Sequence, residues 1–302
     1  MTYYKISSLV AQALQAKQPV VALESTVITH GLPFPQNLEL ARNMEAEVRA
    51  GGSLPATIAV IDGLIHVGLE DDELERLAVQ ARDVGVRKVS VRDFGPAIAL
   101  GECGGTTVAG TLVAAEAAGL RVFATGGIGG VHQGAPFDVS ADLQQLARSP
   151  VVVVCAGAKA ILDLPATLEV LETMGVPVVG YQTDEFPAFY SRSSGLPVSV
   201  RADTPGQVAA IARAHWGLGM RSAVLLTVPP PEDAALPADA VQGAIQQALT
   251  EAAAQGIHGQ KVTPFMLGRV SELTHGDSLK ANLALLLNNG RLAAAVAREL
   301  AG

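Results

Sequence analysis

The sequence predicts an α/β fold: a three-layer α/β/α arrangement with a mixed, mostly parallel central sheet and a helical C-terminal portion. Three observations carry this. Short valine-rich apolar runs alternate with longer amphipathic or alanine-rich runs, the pattern of strand–helix units. Several short runs are apolar on both faces, as strands covered by helices on each side must be. Thr57–Leu69 (TIAVIDGLIHVGL) departs from the alternation by placing two apolar runs around Asp62-Gly63. Asp-Gly between hydrophobic runs signals a hairpin, which makes the sheet mixed.

Along the chain, Pro19–Leu23 is the first strand signal. A helix over Gln36–Arg49 stops at Gly51-Gly52, a C-cap pair. Ala56–Ile61 and Leu64–Val67 are the hairpin strands. Asp71–Arg82 opens with acidic residues, which suit the positive end of a helix dipole. Lys88–Val91 follows as a strand, then a helix over Thr106–Ala118 ended by Gly119. Val122–Thr125 is a strand, Ser140–Ala147 a serine-capped helix, and Val151–Cys155 and Val176–Gly180 are strands. Thr204-Pro205 reads as N-cap and N1 proline of a further helix, before the strand Ala223–Thr227. The proline-rich Val228–Asp233 is a loop. Beyond it the chain reads as all-helical: Pro237–Gln255, Pro264–Leu273 (entered through Thr263-Pro264) and Ser278–Asn288. No repeat or linker divides the chain, which reads as one domain over 1–302.

Composition narrows the function. The 302 residues are 49% hydrophobic with a mean hydropathy of +0.32, enough for a large core and unlike a disordered chain. The formal net charge of −8 does not fit a basic nucleic-acid footprint. Two cysteines, Cys103 and Cys155, make no disulfide framework. No signal peptide is visible at the N-terminus. Apolar runs such as Val151–Ala156 are far shorter than the roughly 20 residues a membrane span needs. A soluble cytoplasmic protein, with no nucleic-acid and no membrane partner, is the expectation.

Ligands of open α/β sheets bind at the carboxyl ends of strands, and five polar clusters occupy such ends. In VVALESTVITHG, a strand runs into Glu24, Ser25 and Thr26. A carboxylate there is desolvated and suited to acid/base work, or else serves as a cap or ion pair. VFATGGIGGVHQG holds four glycines in five residues, either an anion-binding loop or a tight turn. FDVSADL offers Asp138 and Asp142 around Ser140, either for a divalent metal beside a phosphate or for capping. VVVVCAGAKAILD puts Lys159 after a buried strand. Desolvation would lower its pKa and make it a Schiff-base nucleophile; the alternative is a lysine with its head in solvent. RKVSVRD supplies Lys88 and Arg92, for a phosphate or for a solvated edge. Thr106-Thr107-Val108 forms another helix N-terminus. The six histidines (His30, His66, His132, His215, His258, His275) have no metal-ligand spacing and read mostly as surface or satisfied side chains.

Together VALESTVITHGLPFPQNLE, GGTTVAGT, VFATGGIGGVHQGA, FDVSADLQ, VVVVCAGAKAILDLPATLEVLE, VVGYQTDEFPAFY and DSLKANLALLLNN resemble the pseudouridine-5′-phosphate glycosidase family, also called indigoidine synthase A-like. The resemblance extends from about Leu9 to Leu300. It implies reversible cleavage of the C–C glycosidic bond of pseudouridine 5′-phosphate to uracil and ribose 5-phosphate, as part of pseudouridine catabolism. The implied enzyme is a carbon–oxygen lyase, a hydro-lyase in the reverse direction, using one divalent metal, Mn²⁺, per subunit and assembled as a homotrimer. Carried over residue by residue, it makes Lys159 the Schiff-base lysine, Glu24 the acid/base and Asp138 the metal ligand. Lys88, Thr107, Val108, Ser140, Ala141, Asp142 and Asn282 become substrate-binding positions, Asn282 at the base end.

A C–C bond offers no heteroatom leaving group to protonate, so the ordinary glycosidase route is closed. The implied route opens the ribose, attaches Lys159 to C1′, uses an iminium as electron sink and protonates uracil C5 from Glu24. Three departures from the family pattern stand out. Gln133 replaces an arginine (VHQG for VHRG), the GAPFD segment is short, and Val91 replaces an arginine (KVSVRDFGP for KVSRRDLP). The two substitutions remove positive charge and are expected to weaken phosphate affinity. The competing readings are another Schiff-base lyase or aldolase acting on a phosphosugar, and a phosphosugar-binding sensor.

Overall fold

The computed structural model describes residues 3–257 and 262–302, without the side chains of Pro136 and Thr263. His258 and the Thr263 side chain therefore lie outside the described residues.

The main sheet has eleven strands in the order β1-β4-β3-β2-β7-β10-β14-β12-β13, with β6 joining β3 and β5 joining β6. Its centre consists of the parallel strands β2 (Val20–Leu23), β7 (Val122–Ala124), β10 (Val152–Cys155), β14 (Val224–Thr227) and β12 (Val178–Tyr181). β13 (Val200–Ala202) ends that side. β3 (Leu54–Ile61) runs parallel to β2 and antiparallel to β4 (Leu64–Val67). The turn between them places Asp62 at φ 50° and Gly63 at φ 75°, the left-handed pair a two-residue hairpin needs. The central strands are buried along their length, the reason their sequence is continuously apolar.

Several segments differ from the sequence expectation. Gly104–Thr106, assigned above partly to a helix, is the strand β6; its helix, α5, is Val108–Ala118 with Thr107 as N-cap. Two glycines carry no β pattern, and the tertiary pairing with β3 decides the conformation. β1 (Tyr4–Ile6), β5 (Arg87–Val89), β13 and the small sheet β11-β8-β9 (Leu162–Asp163, Val131–His132, Ala135–Val139) are short. Of these only β5 is foreshadowed, by Lys88–Val91. The last helix, α11, runs Asp277–Ala301, well past Asn288, and α10 runs Val262–Leu273, so Pro264 is inside its first turn rather than at its first residue.

One apolar cluster reaches from Val10 on α1 (Ser8–Gln15) to Ala297 on α11. α11 packs on α2 (Gln36–Ala50), on α8 (Pro205–Gly217) and on the sheet, its buried residues Leu285, Leu286, Ala293 and Ala297 recurring at helical spacing. A second cluster joins α2, α3 (Asp71–Asp83) and β3. No helix of the described residues is long and apolar enough to cross a membrane.

Candidate active site

Three neighbouring parallel strands end side by side, with Leu23 of β2 in register with Ala124 of β7, and Ala124 with Val154 of β10. The residues leaving these ends are Glu24, Thr125-Gly126 and the segment from Ala156 to Lys159. The parallel register thus gathers side chains that are 135 positions apart between Glu24 and Lys159. They meet in one cavity, of about 550 Å³ with its open mouth, lined among others by Glu24, Lys88, Lys159, His30 and Asn282. Four of the residues singled out by sequence, Glu24, Lys88, Lys159 and Asn282, are therefore brought together. Phe189, Leu286 and Leu267 supply apolar wall, the mixed lining expected of a small-molecule site.

Glu24 opens a turn that continues as a π-helical segment, Val27–Gly31, a form that recurs at functional sites. Buried hydroxyls anchor the turn. Ser25 Oγ donates to the Ile58 carbonyl at 2.6 Å, and the Thr106 main-chain N–H donates to Ser25 Oγ at 2.9 Å. Thr106 Oγ1 also donates to the Ile58 carbonyl, at 2.8 Å. On the other side Thr125 Oγ1 donates to Glu24 Oε1. Burial pushes the Glu24 carboxyl above its ordinary value; Lys159, the Thr125 hydrogen bond and Lys88 oppose the shift, and Asp142 adds to it. A carboxyl so placed is suited to acid/base work.

Neither lysine ammonium has a hydrogen-bond partner among the described residues, which leaves both for a ligand. Burial, and then the Lys159 charge, hold Lys88 below its ordinary value, with Asp142 and Glu24 pulling it back. Lys159 is half-buried, and its main-chain N–H donates to the Ile128 carbonyl at 3.1 Å. Arg92, singled out with Lys88 in the same cluster, is exposed outside the cavity. Cys155, close to Lys159 in sequence, is buried and its thiol is pushed up to about 12, so it stays protonated and inert. Both cysteines are free.

The glycine run is packed tightly on one side, while Gly126 and Gly127 line the cavity. The Gly129 N–H donates to Asp142 Oδ2 at 2.8 Å, the Ile128 N–H to the Gly157 carbonyl at 3.0 Å, and the Val131 N–H to Thr167 Oγ1 at 3.0 Å. A Cβ at Gly129 would lie 2.2 Å from Ser140 Oγ. Asp142 is 6% exposed, and its other oxygen accepts the Ala109 N–H at 2.9 Å. It therefore ties the N-terminus of α5 to that of α6 (Ala141–Leu146) and to the glycine run. Thr107 and Ser140 are N-caps, accepting from Gly110 N and Asp142 N. Val108 is buried and Ala141 exposed. These five positions lie at the two helix starts, outside the lining of the cavity.

Asp138 lies on β9, more than half exposed, with its Oδ1 3.6 Å from His132 Nδ1. No group of three His, Cys, Asp or Glu side chains gathers for a metal ion among the described residues. A single carboxylate completed by water and substrate phosphate oxygens is nonetheless a donor set that Mg²⁺ and Mn²⁺ accept. Asp138 thus fits a hydrated ion and not a caged one. Gln133 donates to the Leu162 carbonyl and accepts from Gln246, and Val91 is 42% exposed. Neither lines the cavity.

Sequence reading gives no site role to Thr125, His30 or Phe189. Thr125 reads as a strand end and Phe189 as core. His30 was grouped with satisfied histidines, and it is one: Nδ1 lies 2.7 Å from Thr29 Oγ1. Burial, then Lys88, hold it below its ordinary value, so a neutral imidazole faces the cavity.

A family model described as "Indigoidine synthase A like protein" matches residues 9–299. The pseudouridine-5′-phosphate glycosidase of Paracoccus denitrificans is 55% identical over 298 residues, 98% of either chain. That of Escherichia coli K12 is 51% identical over 297 residues, 98% of this chain and 95% of its own. Among solved structures, the prealnumycin C-glycosynthase AlnA in complex with ribulose 5-phosphate superposes with a TM-score of 0.91 at 41% identity, covering 100% of this chain and 98% of that one. An indigoidine synthase A-like protein of Thermotoga maritima superposes with a TM-score of 0.88 at 37% identity, covering 95% and 94%.

Proposed function

Since the chain belongs to the indigoidine synthase A-like family, we propose that it is a pseudouridine-5′-phosphate glycosidase of pseudouridine catabolism, cleaving pseudouridine 5′-phosphate reversibly to uracil and ribose 5-phosphate. The observation that carries this is the shared cavity of Glu24 and Lys159 with Lys88 and Asn282. High identity to two glycosidases over nearly the full chain supports the substrate. The ribulose 5-phosphate bound by a relative supports a pentose-phosphate subsite.

Lys159 forms a bond to C1′ as the C1′–O4′ bond opens, and the proton that the nitrogen sheds passes to O4′. Glu24 then delivers its proton to uracil C5. The C1′–C5 bond breaks, its electrons return to the pyrimidine ring, and the Lys159 nitrogen becomes an iminium at C1′. Water adds to C1′, the C–N bond breaks, and ribose 5-phosphate leaves as the aldehyde. Water's hydrogens replace the proton Glu24 gave and complete the sugar hydroxyl, so atoms balance and the reverse direction is a hydro-lyase reaction. Lys88 and the helix starts at Thr107-Val108 and Ser140–Asp142 hold the phosphate end, remote from the breaking bond, so binding energy there orients C1′. Asn282 faces the base. A divalent ion at Asp138, Mn²⁺ by family likeness, would neutralise phosphate charge when bound. The unit acting is a single domain, 1–302, in a cytoplasmic homotrimer.

The test is uracil release from pseudouridine 5′-phosphate, followed by chromatography with and without Mn²⁺, for wild type and Lys159→Ala. Metal-dependent release by wild type and none by the variant is expected. Release that survives K159A would discard the Schiff base. The second reading, C-glycoside chemistry between a pentose phosphate and a partner other than uracil, rests on the 41% identical C-glycosynthase. It predicts ribose 5-phosphate binding without uracil release.

A further inference from the structure

Asn289 is fully buried, 0% exposed, on α11. Its side-chain N–H donates to the Thr125 carbonyl at 2.9 Å, while its Oδ1 has no partner. A half-satisfied amide in a core costs stability, so its presence calls for a reason. Thr125 supplies one. The β7 ladder ends at Ala124, paired with Leu23 and Val154. The Thr125 carbonyl is thus beyond the sheet, and Asn289 satisfies it. The Thr125 N–H still bonds the Val154 carbonyl at 3.0 Å, so the residue is gripped at both main-chain polar groups. Its side chain then donates to Glu24 Oε1. Seven positions, about two turns, before Asn289 on the same helix, Asn282 lines the cavity.

We propose that Asn289 is a positioning residue for the acid/base: by fixing the Thr125 main chain it keeps the Thr125 hydroxyl on the Glu24 carboxylate and the carboxylate aimed into the cavity. This rests on the role given to Glu24 above. The charged and titratable groups facing Glu24 are Lys159 after β10, Lys88 on β5, Asp142 on α6 and, across the same cavity, His30 of the π-helical turn. Glu45 on α2 is turned to the Thr57 hydroxyl instead, at 2.6 Å. Substitution at 125 or 289 removes none of these.

The experiment is a pH titration of ¹³C-carboxyl-glutamate-labelled protein by NMR, with the Glu24 resonance assigned through Glu24→Gln. A hydroxyl that donates to a carboxylate favours its charged form. Thr125→Val is therefore expected to raise the Glu24 midpoint by about one pH unit, and Thr125→Ser to restore it. Asn289→Ala should shift the midpoint in the same direction by less, and the T125V/N289A double variant no further than T125V, since both act through one hydrogen bond. In turnover, the limb of the pH–kcat profile belonging to Glu24 should move with the NMR midpoint while KM stays. An Asn289→Ala variant with an unmoved midpoint, or a double variant whose shifts add, overturns the proposal. Asn289→Leu, which fills the space, is read the same way if N289A does not fold. The titration needs no substrate, so a wild type that released no uracil would sink the glycosidase reading and leave this result standing.

Discussion

Asp142 and Lys88 show how single residues divide the work. Asp142 accepts two main-chain N–H groups, from Ala109 and Gly129. Both bonds are charge-assisted, and both donors are orphaned if the carboxylate goes. Asp142→Ala is expected to cost on the order of 3 kcal/mol, read from urea unfolding, and Asp142→Asn roughly half. A loss of ribose 5-phosphate binding with unfolding unchanged would show that the clamp role is wrong. Lys88 has no hydrogen-bond partner among the described residues and is held below its ordinary value of 10.5, by burial first and by Lys159 second. A bound phosphate favours the ammonium. Affinity for ribose 5-phosphate should therefore be full below the lowered Lys88 value and fall as pH rises through it, up to about tenfold per pH unit. Calorimetry checks this across the alkaline range. Lys88→Arg, always charged, should flatten the fall, and Lys88→Ala should weaken binding at every pH.

Among the elements, the segment from β10 to Lys159 depends on Gly157. Its φ is +86°, and a Cβ there would lie 2.5 Å from the Pro187 carbonyl oxygen. Gly157→Ala thus meets both backbone strain and a collision with main chain. It is expected to cut kcat at least tenfold, by displacing Lys159, with some loss of melting temperature; unchanged kinetics would show that the segment has slack. The Glu24 turn is held differently, by Ser25 and Thr106 hydroxyls on the Ile58 carbonyl. The strand ends, π-helical turn and glycine run therefore work as a rigid frame, which placing a nucleophile and an acid in one cavity requires.

At the scale of the whole molecule, the β8–β9 hairpin presents Phe137 at 99% exposure and Val139 at 40%. An apolar pair so exposed on a hairpin suits a subunit interface and supports the proposed homotrimer. Phe137→Ser is expected to shift the mass measured by light scattering from three chains toward one, leaving the protomer's unfolding intact because Phe137 is 99% exposed. A wild type that runs as a single chain would end the trimer proposal.

Fold class, hairpin and most strands were legible because burial on both faces leaves a local mark: uninterrupted apolar runs, with glycine, proline and serine at their ends. Glu24, Lys159 and Lys88 were legible because polar residues interrupt those runs at strand ends, and the family resemblance assigned their roles. Thr125 and Asn289 were not, since a threonine ending a strand and an asparagine in a leucine-rich helix look ordinary until a carbonyl beyond the sheet is seen to need a donor. Nor does the sequence show the clamp that Asp142 makes, because the Ala109 and Gly129 N–H groups it accepts come from separate segments. What the sequence determined alone is what one segment can do for itself: its period, caps, turns and burial. What only the tertiary structure decided is which strand ends lie side by side. That depends on long-range register, and register turns Glu24, Thr125 and Lys159 into neighbours whose charges and hydrogen bonds then set one another's chemistry.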